Sequence, residues 1–169
     1  VIVPEDIHGS RMLTGKLNAF TSTGGKVLAV GRGALADGAY PSCFGASYMG
    51  QSELYPDFIV AEGTLAKELE QGNEYVIYLQ GDRIAPAGGE AALYARAPFF
   101  RRDGDKFCSH RYTPSAKGEA YPVAVRGEST LLFGHSLFRQ YRDSAPRWVK
   151  TLVKNALDEL LPIPLVSHD

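Results

Sequence analysis

Three stretches of the sequence gather side chains able to do chemistry. The first is Gly31-Arg32-Gly33, which follows the apolar run from Lys26 to Val30. Glycines flanking one residue after a strand are how a nucleophile elbow is built, because the turn is strained and its neighbours pack close. Attack would require Ser, Cys or Asp at the centre, and Arg32 cannot supply it. Two readings stay open: a structural turn, or an anion or sugar contact through Arg32. The Gly-x-Gly is also too short for a dinucleotide fingerprint, since no third glycine follows at the proper offset. The second stretch is His135, thrown off the end of Thr130-Leu131-Leu132-Phe133 by Gly134. An imidazole there could act as a general base. The next residues, Ser136-Leu137-Phe138, hold no carboxylate to orient it, so as a base it would need Glu5 or Asp6 to approach from a neighbouring strand end. The alternative is a structural or binding histidine.

The third stretch, Phe107-Cys108-Ser109-His110-Arg111, packs a thiol, a hydroxyl, an imidazole and a guanidinium together. A nearby imidazolium lowers a thiol pKa, so a Cys-His nucleophilic pair is conceivable. A packed structural loop and a binding loop are the other readings. No second Cys-His or Cys-Cys pair lies close by, so no metal is expected, and no cofactor is implied.

The elements that must position these residues follow from pattern. Val1-Ile2-Val3 and Lys26 to Val30 are continuously apolar, as strands covered on both faces are. Between them Met12, Leu13, Leu17 and Phe20 recur at rough helical spacing, and Gly24-Gly25 supplies a stop. Short connections make this a β-α-β unit with parallel strands. Glu74 to Leu79, Ile84, and Ala91 to Ala97 read as further short strands. Pro122 to Val125 and Thr130 to Phe133 flank Arg126-Gly127-Glu128-Ser129, a hairpin turn. Val149, Leu152, Val153, Ala156, Leu157 and Leu160 share one face of a final helix, with Lys150, Lys154, Asn155 and Asp158 elsewhere. Pro146 suits its first turn and Pro162 stops it. The fold class expected is a three-layer α/β, flavodoxin-like domain, its sheet largely parallel with antiparallel additions. Ligands of such sheets bind beyond the carboxyl ends of the strands. Pro4-Glu5-Asp6, Gly31-Arg32-Gly33 and Gly134-His135-Ser136 are expected to meet there.

Composition bounds the function. A chain of 169 residues is one domain, 1–169, large enough for a real core. A formal charge of −1 gives no electrostatic case for nucleic acid, and Arg101-Arg102 with Lys106 is interrupted by Asp103 and Asp105. Apolar runs fall far short of a membrane span. Two cysteines, Cys43 and Cys108, fit a reducing compartment, so a cytoplasmic location is expected. Tyr40, Phe44, Tyr48, Tyr55 and Phe58 are spread over a Gly-rich segment without helical period, which suggests a subunit interface or sugar stacking. The chain opens inside a strand, which predicts a fragment of a longer polypeptide with its first βα unit missing.

The segments Val1 to Pro4, Phe20 through Gly25 to Gly33, and Phe133-Gly134-His135 through Leu161-Pro162 resemble the class I glutamine amidotransferase-like domain of certain glycoside hydrolases. That is the trimerisation (middle) domain of family 42 β-galactosidases and of related uncharacterised glycosidases, some near α-L-fucosidases. Phe107-Cys108-Ser109-His110, Thr113-Pro114 and Asn155-Ala156-Leu157-Asp158 resemble the latter branch. True class I amidotransferases carry a Gly-x-Cys-x-Gly elbow and a later His-x-Glu. By that resemblance the elbow falls near Gly31-Arg32-Gly33 without its cysteine, His135 matches the triad histidine, and Leu137 stands in place of the glutamate. A histidine with neither nucleophile nor orienter cannot run acyl transfer.

The resemblance therefore implies a non-catalytic oligomerisation and accessory domain of a β-galactosidase- or α-L-fucosidase-like parent. Its partners would be itself, as a trimer, the parent's catalytic barrel, and carbohydrate. Candidate binding residues are Arg32, Cys108, His110, Arg111 and His135, with Tyr48 or Tyr55 stacking. A stand-alone hydrolase or amidotransferase-like enzyme using Cys108 with a histidine is a rival reading, and a monomeric sugar-binding α/β module is another.

Overall fold

A computed structural model describes residues 1–53, 55–100 and 113–162. In chain order the elements are β1 (Ile2–Val3), α1 (Arg11–Ser22), β2 (Val27–Val30), β3 (Ala46–Gln51), β4 (Asp57–Val60), β5 (Glu74–Ile77), β6 (Asp82–Pro86), β7 (Glu90–Arg96), β8 (Tyr121–Arg126), β9 (Thr130–Phe133), α2 (Leu137–Ser144) and α3 (Arg147–Leu160). The main sheet has seven strands in the order β1-β2-β9-β8-β7-β4-β5, and β3 and β6 form a separate two-stranded ribbon.

The expectation of a largely parallel, flavodoxin-like sheet needs correcting. Strands β1, β2 and β9 are parallel, with Ile2 opposite Leu28 and Leu28 opposite Leu131. Every other pairing in the main sheet, β9-β8, β8-β7, β7-β4 and β4-β5, is antiparallel. The domain is mixed α/β with a mostly antiparallel sheet. The reason lies in the connections. A parallel pair needs a crossover of a dozen or more residues, usually a helix. Between Asp57 and Arg126 the described residues contain no α-helix. The β8-β9 hairpin at Gly127 is as the sequence predicts, with Val125 opposite Leu132.

Alternation along β2 and β9 sorts the core to two faces. Leu28, Val30, Leu131 and Phe133 pack with Ile59, Leu93, Leu137, Val149, Leu152 and Ala156, under α2 and α3. Val27, Ala29 and Leu132 pack with Leu17 of α1, Tyr40, Phe44 and Ile84 on the other side. That double burial is why these strands read as unbroken apolar runs.

Capping explains the helix limits. The Ser10 hydroxyl accepts from Leu13 N at the start of α1. At its end Gly24 N and Gly25 N donate to the Thr21 and Phe20 carbonyls, a Schellman closure. Helix α3 buries Val149, Leu152 and Ala156 as its periodicity demands, and also Trp148 and Asn155. The apolar pattern put Asn155 on another face. It is buried because Asn155 Nδ2 donates to the Leu65 carbonyl at 2.8 Å, pinning α3 to the loop after β4. Helix α2, which the sequence reading passed over, carries buried Leu137 and Gln140. Gln140 Oε1 accepts from Tyr78 N at 2.9 Å. No helix among the described residues is long and apolar enough to cross a membrane.

Leu152 is fully buried at the centre of the α3 face. Leu152→Ala should cost about 2–5 kcal/mol, read as a lower urea midpoint at unchanged slope.

Candidate functional site

Because β1, β2 and β9 are parallel, they end on one side, and their exit loops do meet. Glu5, Asp6, Arg32, Gly134 and Ser136 line one cleft of about 320 Å³, together with Gln51, Leu79, Gln80, Asp82 and Arg139. The glycines of Gly31-Arg32-Gly33 serve that convergence. Gly31 has φ +58°, and a side chain there would press on Glu5 Cβ. A Cβ on Gly33 would lie 1.9 Å from the Pro4 carbonyl oxygen. The turn is therefore an accommodation of the β1 exit, and the resemblance to an elbow ends with its shape.

Arg32 is fixed in place. Its Nε donates to both Asp82 oxygens at 2.9 and 3.0 Å and its Nη2 to Asp82 Oδ1 at 2.7 Å. Nη2 also donates to Tyr48 Oη at 3.2 Å. Asp82 is 4% exposed, so the pair is anchored from below. The hydrogen bonds to Asp82 raise the Arg32 pKa above its ordinary value. Across the cleft Glu5 Oε1 accepts from Arg139 N at 2.6 Å, in the first turn of α2. A carboxylate at a helix amino terminus satisfies free N–H groups and complements the dipole.

His135 turns away from this cleft. The partner it would need as a base, Glu5 or Asp6, is replaced by Asp57, the first residue of β4. His135 Nε2 lies 2.6 Å from Asp57 Oδ2, and their side chains are 2% and 1% exposed. The correction has a steric cause. Glu5 is held by α2, and the imidazole slots against Gly81, where a Cβ would lie 2.3 Å from Nε2. Tyr121, at the start of β8, lies beside Asp57. Burial first, and the Asp57 carboxylate second, push its phenol well above the ordinary range. The Arg83 guanidinium sits 3.2 Å from the centroid of the Tyr121 ring, a cation–π contact. His135 Nδ1 is buried and has no partner among the described residues. The unit holds a histidine and a carboxylate, as a triad does, but shut inside the protein.

The candidate residues Cys108, His110 and Arg111 lie outside the described residues. Cys43 does not stand in for Cys108: it lines a different pocket with Asn18, Thr21, Ser42, Glu128 and Ser129. Burial pushes its thiol pKa up, which makes it a poorer nucleophile. No group of three or more metal-ligating side chains occurs among the described residues. The aromatic segment also departs from expectation. Tyr40, Phe44 and Phe58 are 7%, 0% and 4% exposed and build this chain's own core, so they cannot form a subunit interface. Tyr48 packs edge-on to Tyr40, with centroids 6.2 Å apart, and Tyr55 is exposed.

Sequence reading missed Asp57 and Asp82. Asp57 opens a Phe58-Ile59-Val60 run after Pro56, a strand signal hidden within the aromatic stretch. Asp82 follows Gly81 and has no local signature, because Arg32 reaches it from 50 residues away.

Removing one member of a buried pair strands the other. Asp57→Ala and His135→Ala should each cost about 3–5 kcal/mol in urea denaturation, and the double variant less than their sum. Tyr121 and Tyr40 are both held above their ordinary pKa, Tyr40 also chiefly by burial. The native state thus keeps protons that the unfolded chain releases. Stability should be full below about pH 10 and fall as pH rises beyond it. Tyr121→Phe should flatten that fall in pH-dependent unfolding.

No family model and no curated protein matches the chain. Solved structures do. The α-L-fucosidase isoenzyme 2 from Paenibacillus thiaminolyticus aligns over 95% of this chain and 24% of its own, with TM-score 0.85 and 29% identity. The β-galactosidase from Bacillus circulans sp. alkalophilus aligns over 94% of this chain and 22% of its own, with TM-score 0.58 and 15% identity. The cold-adapted β-galactosidase from Rahnella sp. R3 aligns over 97% and 23%, with TM-score 0.59 and 13% identity. At such identities the two galactosidases establish the fold alone. The chain spans about a quarter of each of these proteins and has the fold of one segment of glycoside hydrolases.

Proposed function

We propose that this chain is a non-catalytic accessory domain of a larger glycoside hydrolase, with an α-L-fucosidase-like parent ahead of a β-galactosidase-like one. One observation carries this reading: nearly the whole chain superposes on about a quarter of the fucosidase, at 29% identity. The hydrolytic chemistry then belongs to the parent's remaining length, for which a catalytic barrel is the expected partner. The burial of His135 against Asp57 supports the non-catalytic half of the proposal, because an imidazole closed off from the cleft cannot exchange protons with a substrate there.

The finer role is self-association, as a trimer. Large apolar side chains left at the surface, Met12, Met49 and Phe99 among them, are the kind that an assembly covers. The buried aromatics Tyr40, Phe44 and Phe58 have no part in it.

The purified chain should leave nitrophenyl fucosides and galactosides unhydrolysed. It should scatter light as three times the 18.4 kDa of one chain across a wide concentration range. Turnover of either glycoside would sink the accessory reading. A monomer at every concentration would remove the assembly role and leave the accessory one.

A further inference from the structure

The strand-end cleft has more hydrogen-bonding capacity than its own neighbours use. Arg32 spends Nε and Nη2 on Asp82 and Tyr48, and its Nη1 makes no bond among the described residues. The Ser136 hydroxyl does not cap α2. The Arg139 guanidinium has no partner among the described residues, since only its backbone N–H is engaged, by Glu5. Glu5 Oε2, shielded from solvent at the cleft wall, has none there either. Arg32 and Arg139 are exposed and Ser136 is half-buried, so their free groups are open to a ligand, whereas a shielded oxygen such as Glu5 Oε2 is normally satisfied in a folded protein and points to something that completes it.

We propose that this cleft binds one neutral sugar ring, a monosaccharide or the end unit of an oligosaccharide. Charge selects against the alternatives. Glu5, Asp6 and Asp82 face Arg32 and Arg139, so the lining carries one net negative charge and disfavours a phosphate or carboxylate. Two guanidiniums disfavour an amine. Leu79 is the sole aliphatic side chain of the lining, which disfavours an apolar ligand. A polyol hydroxyl both donates and accepts, so it suits alternating carboxylate, guanidinium, amide and hydroxyl groups. The volume of about 320 Å³ is at the small end of ligand pockets, which run from about 300 to 1,000 Å³.

Roles follow from what is fixed. Arg32, locked between Asp82 and Tyr48, offers Nη1 without paying rotamer entropy on binding. Arg139, in the first turn of α2, and Ser136, just before that helix and beside Gly31, supply further donors, and Glu5 accepts from a hydroxyl. The inference rests on this cleft and is independent of whether the domain is accessory or enzymatic.

Saturation-transfer NMR on the full 169-residue chain tests it, with L-fucose, D-galactose and D-mannose as probes and inorganic phosphate as competitor. At least one sugar should receive saturation. Arg139→Gln and Ser136→Ala should each weaken it about tenfold, the loss of one good hydrogen bond. Neither side chain is bonded among the described residues, so the thermal midpoint should hold. Glu5→Gln, which keeps an oxygen for Arg139 N, should also weaken binding. No transfer from any of the three sugars would overturn the proposal. So would unchanged affinity in all three variants, or displacement of the sugar by phosphate. A chain that binds no sugar and hydrolyses no glycoside would refute the cleft and spare the accessory reading.

Discussion

The contact on which the architecture turns is the buried pair of Asp57 and His135. In the main sheet β8 and β7 separate the strands that carry them, so the pair ties the first residue of β4 to the exit of β9 across the intervening strands. Two groups of this kind, both nearly inaccessible, are tolerable only when each satisfies the other. Gly81 must be a glycine because the imidazole occupies the space of its side chain. Ser52 N donates to the Gly81 carbonyl at 2.9 Å, so the chain leading towards β4 is held by the same wall. The antiparallel extension is thus fastened to the parallel strands by side chains as well as by the ladder.

The same pair separates the two polar regions of the molecule. Had His135 faced the cleft, the exit loops of β1, β2 and β9 would carry an imidazole, carboxylates and an arginine in one place. Instead Glu5 is turned to the amino terminus of α2, and Asp82 to Arg32. Two of the three carboxylates that line the cleft thus have a structural task. What is left facing solvent is Arg32, held in place by Asp82, beside the side chains of Ser136 and Arg139, which are unbonded among the described residues.

The sequence announced what local pattern can announce. The unbroken apolar runs of β2 and β9 follow from burial on both faces, and the amphipathic stripe of α3 from burial on one. The meeting of the three exit loops followed from the parallel strands. Beyond the β8-β9 hairpin, strand direction in the rest of the sheet was hidden, because direction depends on connections and a short strand has the same composition either way. Asp57 and Asp82 were hidden for a different reason. Their meaning lies in His135 and Arg32, which are 78 and 50 residues away in the chain. The aromatics Tyr40 and Phe44 misled because a core contribution from short irregular segments lacks the periodicity that marks one from helices, and Phe58 because its strand is only four residues long.

The pairing of β2 with β9 has a consequence for the order in which the chain assembles. Lys26 Nζ meets Ser129 Oγ across 103 residues, and Val27 N donates to the Ser129 carbonyl at the same point. Closing so long a loop costs entropy before any contact repays it. The β8-β9 hairpin, by contrast, closes through a turn at Gly127. On loop-closure entropy alone, pairing β8 with β9 costs less than docking the β1-α1-β2 unit onto β9. The cleft, whose walls come from both, exists only once the two ends of the chain have found each other.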